Sequence, residues 1–421
     1  MGLLEPITHK EEIQKLLSDA QQIYDTAKNK FDSQKDKTSQ SLEELGKIKI
    51  RAWSEGMEAF VSSFGSFKNV ELNRIEVSHS HFLGYNEKPK EMLMNIENAS
   101  LNASEVAKAG FAAVGTGALV GVAAYGGAMM FGSASTGTAI AALSGAAKTN
   151  ATLAWFGGGA KAAGGLGIAA GKLVLAGVVV APILAVAAII AGVKGKERLE
   201  EAKKIHAEAE NAVAQMNTIT TGMQGIERMA DNYSGFIKKL NKKFAPFINE
   251  LDRIKNEHTI EQDGFIDFDS LSTVEQKTLH LSWLMAQIYY HILATPILTP
   301  NGEVSNDAQK ALTASMNDLK QVRKDSFKMV GEDAPVGNLV WKPEANKMMV
   351  INFFAMAVFI AIGVLSFGTS VLKGILFIIC AALACPIFFY FKELPASRLY
   401  VWRLLRLIVS IGVVIAIAAL L

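Results

Sequence analysis

The chain has 421 residues, half of them hydrophobic, and a formal net charge of +2. That length allows two or three domains, and the near-balance of charge excludes the uniform basic field of a dedicated nucleic-acid binder. Charge is segregated instead: dense over 10–108 and 194–260, nearly absent over 109–193 and 348–421.

The N-terminus, MGLLEPITHKEE, lacks a basic segment followed by an apolar core, so no cleavable signal peptide is expected. Pro6 stands where a myristoylation motif carries Ser or Thr. Ile13, Leu16, Ala20, Ile23, Ala27 and Phe31 keep heptad spacing, and Leu42, Leu45 and Ile48 resume it, which predicts a helical arm within 1–104. His79 and His81 could ligate a metal from a strand face; with no third ligand nearby, they are read as a surface loop.

Residues 105–195 are rich in Gly and Ala, and between 109 and 193 only Lys148, Lys161 and Lys172 are charged. Gly117-x-x-x-Gly121 and Gly167-x-x-x-Gly171 set small residues on one helical face, where backbones can approach closely. Gly157, Gly158 and Gly159 are assigned the same helix-packing role. The stretches 111–131 and 173–193 are uncharged and long enough to span a bilayer. A hydrophobic hairpin is expected here, either membrane-competent or packed between subunits. Nucleotide-binding readings fail. No strand pattern precedes Gly165-Leu166-Gly167, the next acidic residue is Glu197, and Gly171-Lys172 is followed by Leu173 where a P-loop needs Ser or Thr.

In 196–260 the apolar positions Ile205, Ala209, Ala212, Met216, Ile219, Met223, Ile226, Ala230, Tyr233, Ile237, Leu240, Phe244, Phe247, Leu251 and Ile254 alternate intervals of four and three. That 3.5-residue repeat predicts a long coiled-coil helix, with Pro246 as a possible kink. Its partner is the N-terminal arm in an antiparallel intramolecular stalk, or another copy of the chain across an oligomerisation seam. Lys238, Lys239, Lys242 and Lys243 form a basic stripe beside Phe236 and Phe244. The stripe is a solvated flank, or the site of an anionic partner such as single-stranded nucleic acid or lipid headgroups.

The connector, 261–345, opens with Asp263-Gly264-Phe265-Ile266-Asp267-Phe268-Asp269, read as a turn or short hairpin. Ser272-Thr273-Val274-Glu275 is a capping box for a helix through Ile292 that stops at Thr295-Pro296. Asn301-Gly302 marks a turn before a further helix over 305–328. In 346–421, three apolar runs read as spans over about 348–366, 371–391 and 404–421, the first two forming a hairpin. Lys342 and Lys347 before the first, and Lys392, Arg398, Arg403 and Arg406 between the second and third, place both flanks in the cytoplasm. The body is then cytoplasmic, in a multi-pass membrane protein. Cys380 and Cys385 sit in the apolar run and read as buried small hydrophobes.

The whole reads as all-α: long coiled-coil helices flanking a Gly/Ala-rich hydrophobic hairpin, a small helical connector, and C-terminal transmembrane helices. No catalytic motif is present, neither Gly-x-Ser-x-Gly nor HExxH. Neither an enzyme nor a cofactor is expected.

The segment Ala151-Thr152-Leu153-Ala154-Trp155-Phe156-Gly157-Gly158-Gly159-Ala160, continuing into Ala162-Ala163-Gly164-Gly165, resembles a motif in a group of bacterial membrane proteins. With the C-terminal spans added, the chain resembles the membrane effector of the Hailong anti-phage defence system. The resemblance implies a homo-oligomeric ion channel, a tetramer, in the inner membrane. It also implies a partner nucleotidyltransferase whose short oligodeoxyadenylate single-stranded DNA holds the channel shut until phage nucleases remove it. The rival expectation is a membrane-tethered coiled-coil scaffold without a pore.

Overall fold

The computed structural model describes residues 5–70, 89–114, 116–125, 199–258, 263–299, 302–329, 334–366, 371–384 and 396–420. Among them the chain is nearly all helical, 91%. The elements are α1 (Glu5–Arg51), a π-helical turn (Ala52–Met57), α2 (Glu58–Phe64), β1 (Phe67–Lys68), α3 (Pro89–Ala109), α4 (Phe111–Val114) and α5 (Thr116–Tyr125). They continue with α6 (Leu199–Glu257), β2 (Ile266–Asp267), α7 (Thr273–Ala294), α8 (Asn306–Met329), α9 (Ala334–Ser366), α10 (Val371–Ala384) and α11 (Ala396–Leu420). The chain divides into two compact units: Met1–Gly65, Leu83–Lys242 and Ala286–Met316 in one; Ser66–Phe82, Lys243–Met285 and Asn317–Leu421 in the other.

In the first unit, α1 lies along the N-terminal part of α6. The heptad positions of α6 are all buried except Ile219, which is half-buried. Tyr24, Ala27 and Phe31 fill the seam against Ala212, Met216 and Met223. Polar contacts run beside it: His206 to Asp19 at 2.8 Å, Thr38 Oγ1 to the Met223 carbonyl at 3.2 Å, and Lys238 to Glu44 at 3.4 Å, with Gln34 bonded to Glu227. Partner numbers rise together along both helices, so the pair is parallel. This corrects the antiparallel expectation. A short loop would force antiparallel neighbours, but the connection from Ala52 to Arg198 is long enough to return the chain to the same end. Along 20–48 the seam is therefore filled within one chain.

Helix α5 crosses α1 at Gly46, where an added Cβ would stand 2.1 Å from the Leu119 carbonyl oxygen. Leu119, Val120, Val122, Ala123 and Ala124 are buried, so this stretch of the candidate span 111–131 is packed in the protein, while Ala112 near its start is exposed. Gly121 is buried in this helix, and Gly117 lies one turn before it. Gly157, Gly158, Gly159, Gly167 and Gly171 lie outside the described residues, as do the span 173–193, His79, His81 and Cys385.

In the second unit, β2 follows a turn at Gly264 (φ 85°) and pairs in parallel with β1, Phe67 opposite Ile266. Of the two readings of 263–269, the turn is present at Gly264 and the short hairpin is not. The strand's partner is remote in sequence, which no local pattern encodes. Lys68 to Asp263 (2.7 Å) and Asn69 to Asp267 (2.9 Å) flank the pair. The capping box forms as expected, with Ser272 N–H donating to Glu275 Oε2 at 2.9 Å and Glu275 N–H to Ser272 Oγ at 3.4 Å.

Helices α9, α10 and α11 run up, down and up. Gly363 faces Phe377 and Ile378, and Phe359 packs with Cys380 and Ala381, so α10 is antiparallel to α9. Arg403 bonds to the Ala345 carbonyl, and Val413 and Val414 lie against the Phe359 cluster, so α11 is parallel to α9. The stretch Ala345–Leu365 is one helix long and apolar enough to cross a membrane.

Candidate ligand site

The heptad seam decides where the lysine stripe faces. Ile237 and Leu240 turn into the core, so Lys238, Lys239 and Lys242 on the outer face of α6 are exposed; Lys243 is half-buried. Lys238 pairs with Glu44, but both side chains are more than half exposed, and such a pair is worth at most about 1 kcal/mol. The stripe therefore keeps its positive field. Phe236 and Phe244, which flank it in sequence, are buried. Neither of these two rings can stack a base, so the affinity of the stripe itself for a nucleic acid would be that of a phosphate track.

At the end of the stripe the first unit has a cavity of about 160 Å³, floored by Ile48 and Ile237 and rimmed by Arg51, Glu55, Lys238 and Asn241, with Tyr289 in its wall. The π-helical turn Ala52–Met57 builds one side of it. Such turns are rare and often mark functional sites. A Cβ on Gly56 would stand 3.4 Å from the Tyr289 ring and 3.5 Å from Asn241 Oδ1, ordinary contact distances, so the turn packs within a methyl group's reach of α6 and α7. Arg51 lies over the Phe111 ring at 5.1 Å. Burial, with a smaller contribution from Glu55, pushes the Tyr289 phenol above its ordinary value, so it stays a neutral donor.

A cavity this size is below the usual range for a whole small-molecule ligand. Arg51, Lys238 and the Asn241 amide offer donors to one anionic group there, opposed by the Glu55 carboxylate on the same rim. Comparison with known proteins returns no match: no family model, curated protein or solved structure matches the chain. The site therefore rests on its own geometry. That geometry joins Lys238 to Arg51, Asn241 and Tyr289, three residues outside the predicted stripe. The one sequence signal for them was proximity to the heptad seam. The π-turn that brings Arg51 and Glu55 to the rim has no periodic signature in Ala52-Trp53-Ser54-Glu55-Gly56-Met57.

Proposed function

We propose that the protein is a membrane-anchored homo-oligomeric ion channel with a cytoplasmic helical body, acting as the effector of an anti-phage defence. One observation carries the membrane reading. Large apolar side chains stand exposed along all three C-terminal helices: Phe354 at 73% and Leu365 at 78% on α9, Val371 at 63% on α10, and Ile415 at 64% on α11. Apolar surface of that extent is unfavourable in water and at home in lipid. An up-down-up trio crosses three times, and the positive-inside rule applied to Lys347, Arg398, Arg403 and Arg406 keeps the body in the cytoplasm.

The defence role rests on the resemblance carried by 151–165. On that reading a short oligodeoxyadenylate, made by a partner nucleotidyltransferase, holds a tetrameric channel shut and its destruction opens it. We assign its phosphates to Lys238, Lys239 and Lys242, with Arg51 and the cavity at the end of the track. Purified protein in liposomes should pass ions without oligodeoxyadenylate and stop when it is added. Intact oligomers that conduct in neither condition would overturn the channel.

A second reading, a membrane-tethered scaffold, draws on the burial of α5 in the body and the scarcity of polar side chains on the apolar trio. It predicts single-stranded DNA binding with no flux in any state.

A further inference from the structure

Lys49, in the last turn of α1, is fully buried. Its Nζ donates to the Thr295 carbonyl at 3.2 Å and the Ala123 carbonyl at 3.4 Å, and lies 5.6 Å over the Tyr233 ring. Ala123 is in the last described turn of α5, and Thr295 follows the end of α7, whose last carbonyls lack intrahelical donors. The next carbonyl, Ala124, accepts from Ile297 N–H (2.8 Å) and Leu298 N–H (3.0 Å). The end of α5 is thus held by two backbone donors and one titratable side chain.

No counter-charge faces that ammonium among the described residues. Helix α5 carries no Asp, Glu, His, Lys or Arg. On α6, Tyr233 is committed to the Ala308 carbonyl at 2.8 Å, Glu227 is bonded to Gln34, and Asp231 is exposed. Glu303 and Asp307, beyond α7, are exposed. On α1 and the π-turn, Glu43 and Glu44 pair with Lys47 and Lys238, and Glu55 lines the cavity. His291, in the last turn of α7, is half-buried, and burial pushes its imidazole below its ordinary value.

We infer that Lys49 is a proton-operated latch on the docking of α5, with the docked arrangement the low-proton state and acidification favouring release. Burial lowers the docked ammonium to about 7, whereas a solvated lysine titrates near ~10.4. The undocked state therefore binds the proton more tightly. Between pH 8 and pH 6 the undocked-to-docked ratio should rise roughly tenfold, and below pH 6 it should level off.

Hydrogen exchange on the full chain in detergent tests it, with rates corrected for the intrinsic pH dependence of exchange. Peptides covering 116–125 should show an opening population that rises about tenfold from pH 8 to pH 6. Lys49→Met, of similar length and uncharged, should flatten that dependence, and His291→Gln should keep it. A flat wild-type profile overturns the latch, as does a Lys49→Met profile that still rises. Should Lys49→Met fail to fold, the comparison of wild type with His291→Gln decides, since loss of the dependence in His291→Gln would reassign the proton to the imidazole.

Discussion

Gly46 offers a sharp test of the packing of the first unit. Alanine there would put its Cβ 2.1 Å from the Leu119 carbonyl oxygen, 2.7 Å from the carbonyl carbon and 3.1 Å from the Cα. These are backbone atoms of α5 and cannot swing aside as a side-chain tip would. The helices must separate, which also stretches the Lys49 bond to Ala123. Overpacking of this kind costs about 1–3 kcal/mol, while exchanging a helical glycine for alanine returns about 1 kcal/mol. Because the obstructing atoms are all backbone, the upper end of that cost applies, and the net expectation is a loss of about 2 kcal/mol. Gly222 and Gly235 supply the control. Both are exposed on α6, and a Cβ at either meets nothing within 4 Å, so alanine there should stabilise by roughly 0.5–1 kcal/mol. The same substitution then has opposite signs at sites that a helix-propensity scale treats alike. Thermal unfolding of the detergent-solubilised chain, followed by tryptophan fluorescence, reads both, at roughly 2–4 °C per kcal/mol for a large cooperative unit. A neutral or stabilising Gly46→Ala, beside stabilising Gly222→Ala and Gly235→Ala, would refute the close approach.

Replacing Lys238, Lys239 and Lys242 together by glutamate should weaken binding of single-stranded DNA and flatten its log–log salt dependence by about 2, from three lost phosphate contacts. Fluorescence anisotropy at several salt concentrations measures this, and unchanged binding would place the ligand elsewhere. Ser272→Ala removes the capping box of α7 and should cost about 1 kcal/mol in thermal stability, with Ser272→Asp recovering most of it. Gly363→Leu should loosen the α9–α10 pair, because a Cβ at 363 already stands 3.3 Å from Phe377 and Ile378. The expected cost is about 1–3 kcal/mol, read as earlier unfolding in a denaturing-detergent titration, and an unshifted midpoint would contradict the packing.

What was legible in the sequence was periodic or local. The heptad run from Ile205 to Ile254 predicts the buried face of α6 almost residue for residue, because a helix exposes its pattern within each turn. By the same logic it predicts that Lys238, Lys239 and Lys242 face outward. The start of α7 was readable from Ser272 and Glu275, and its end from Thr295-Pro296, since caps are short-range hydrogen bonds. The rest depends on which remote segments meet. The direction of the α1–α6 pair, the parallel match of Phe67 with Ile266 and the approach of Leu119 to Gly46 are all contacts across long loops. Lys49 shows the limit most plainly. It sits among the alternating lysines and isoleucines of Lys47-Ile48-Lys49-Ile50, yet Lys47 pairs with Glu43 at the surface while Lys49 is enclosed.

The polar inventory of the apolar trio constrains how a water-filled path could form. Within 348–365, 374–382 and 407–415 the polar side chains are Asn352, Cys380 and Ser410, and all three are buried. Asn352 Nδ2 donates to the Arg403 carbonyl at 3.1 Å, and Ser410 Oγ donates to the Arg406 carbonyl at 2.8 Å. The first bond joins two helices and the second closes on its own helix. Both spend polarity inside the trio, which is how polar groups act as glue in lipid rather than as the lining of a pore. The outward faces, by contrast, are isoleucine, valine, leucine and phenylalanine. On the proposed membrane reading a single copy has an anchor's surface, and a conducting form would need several copies whose packed faces differ from those in lipid. Conductance should then rise more steeply than linearly as protein density in the liposomes increases. A strictly linear rise from the lowest density would mean either that the oligomer is already complete before reconstitution, which crosslinking at that density would reveal, or that one copy conducts alone, which this distribution of side chains does not support.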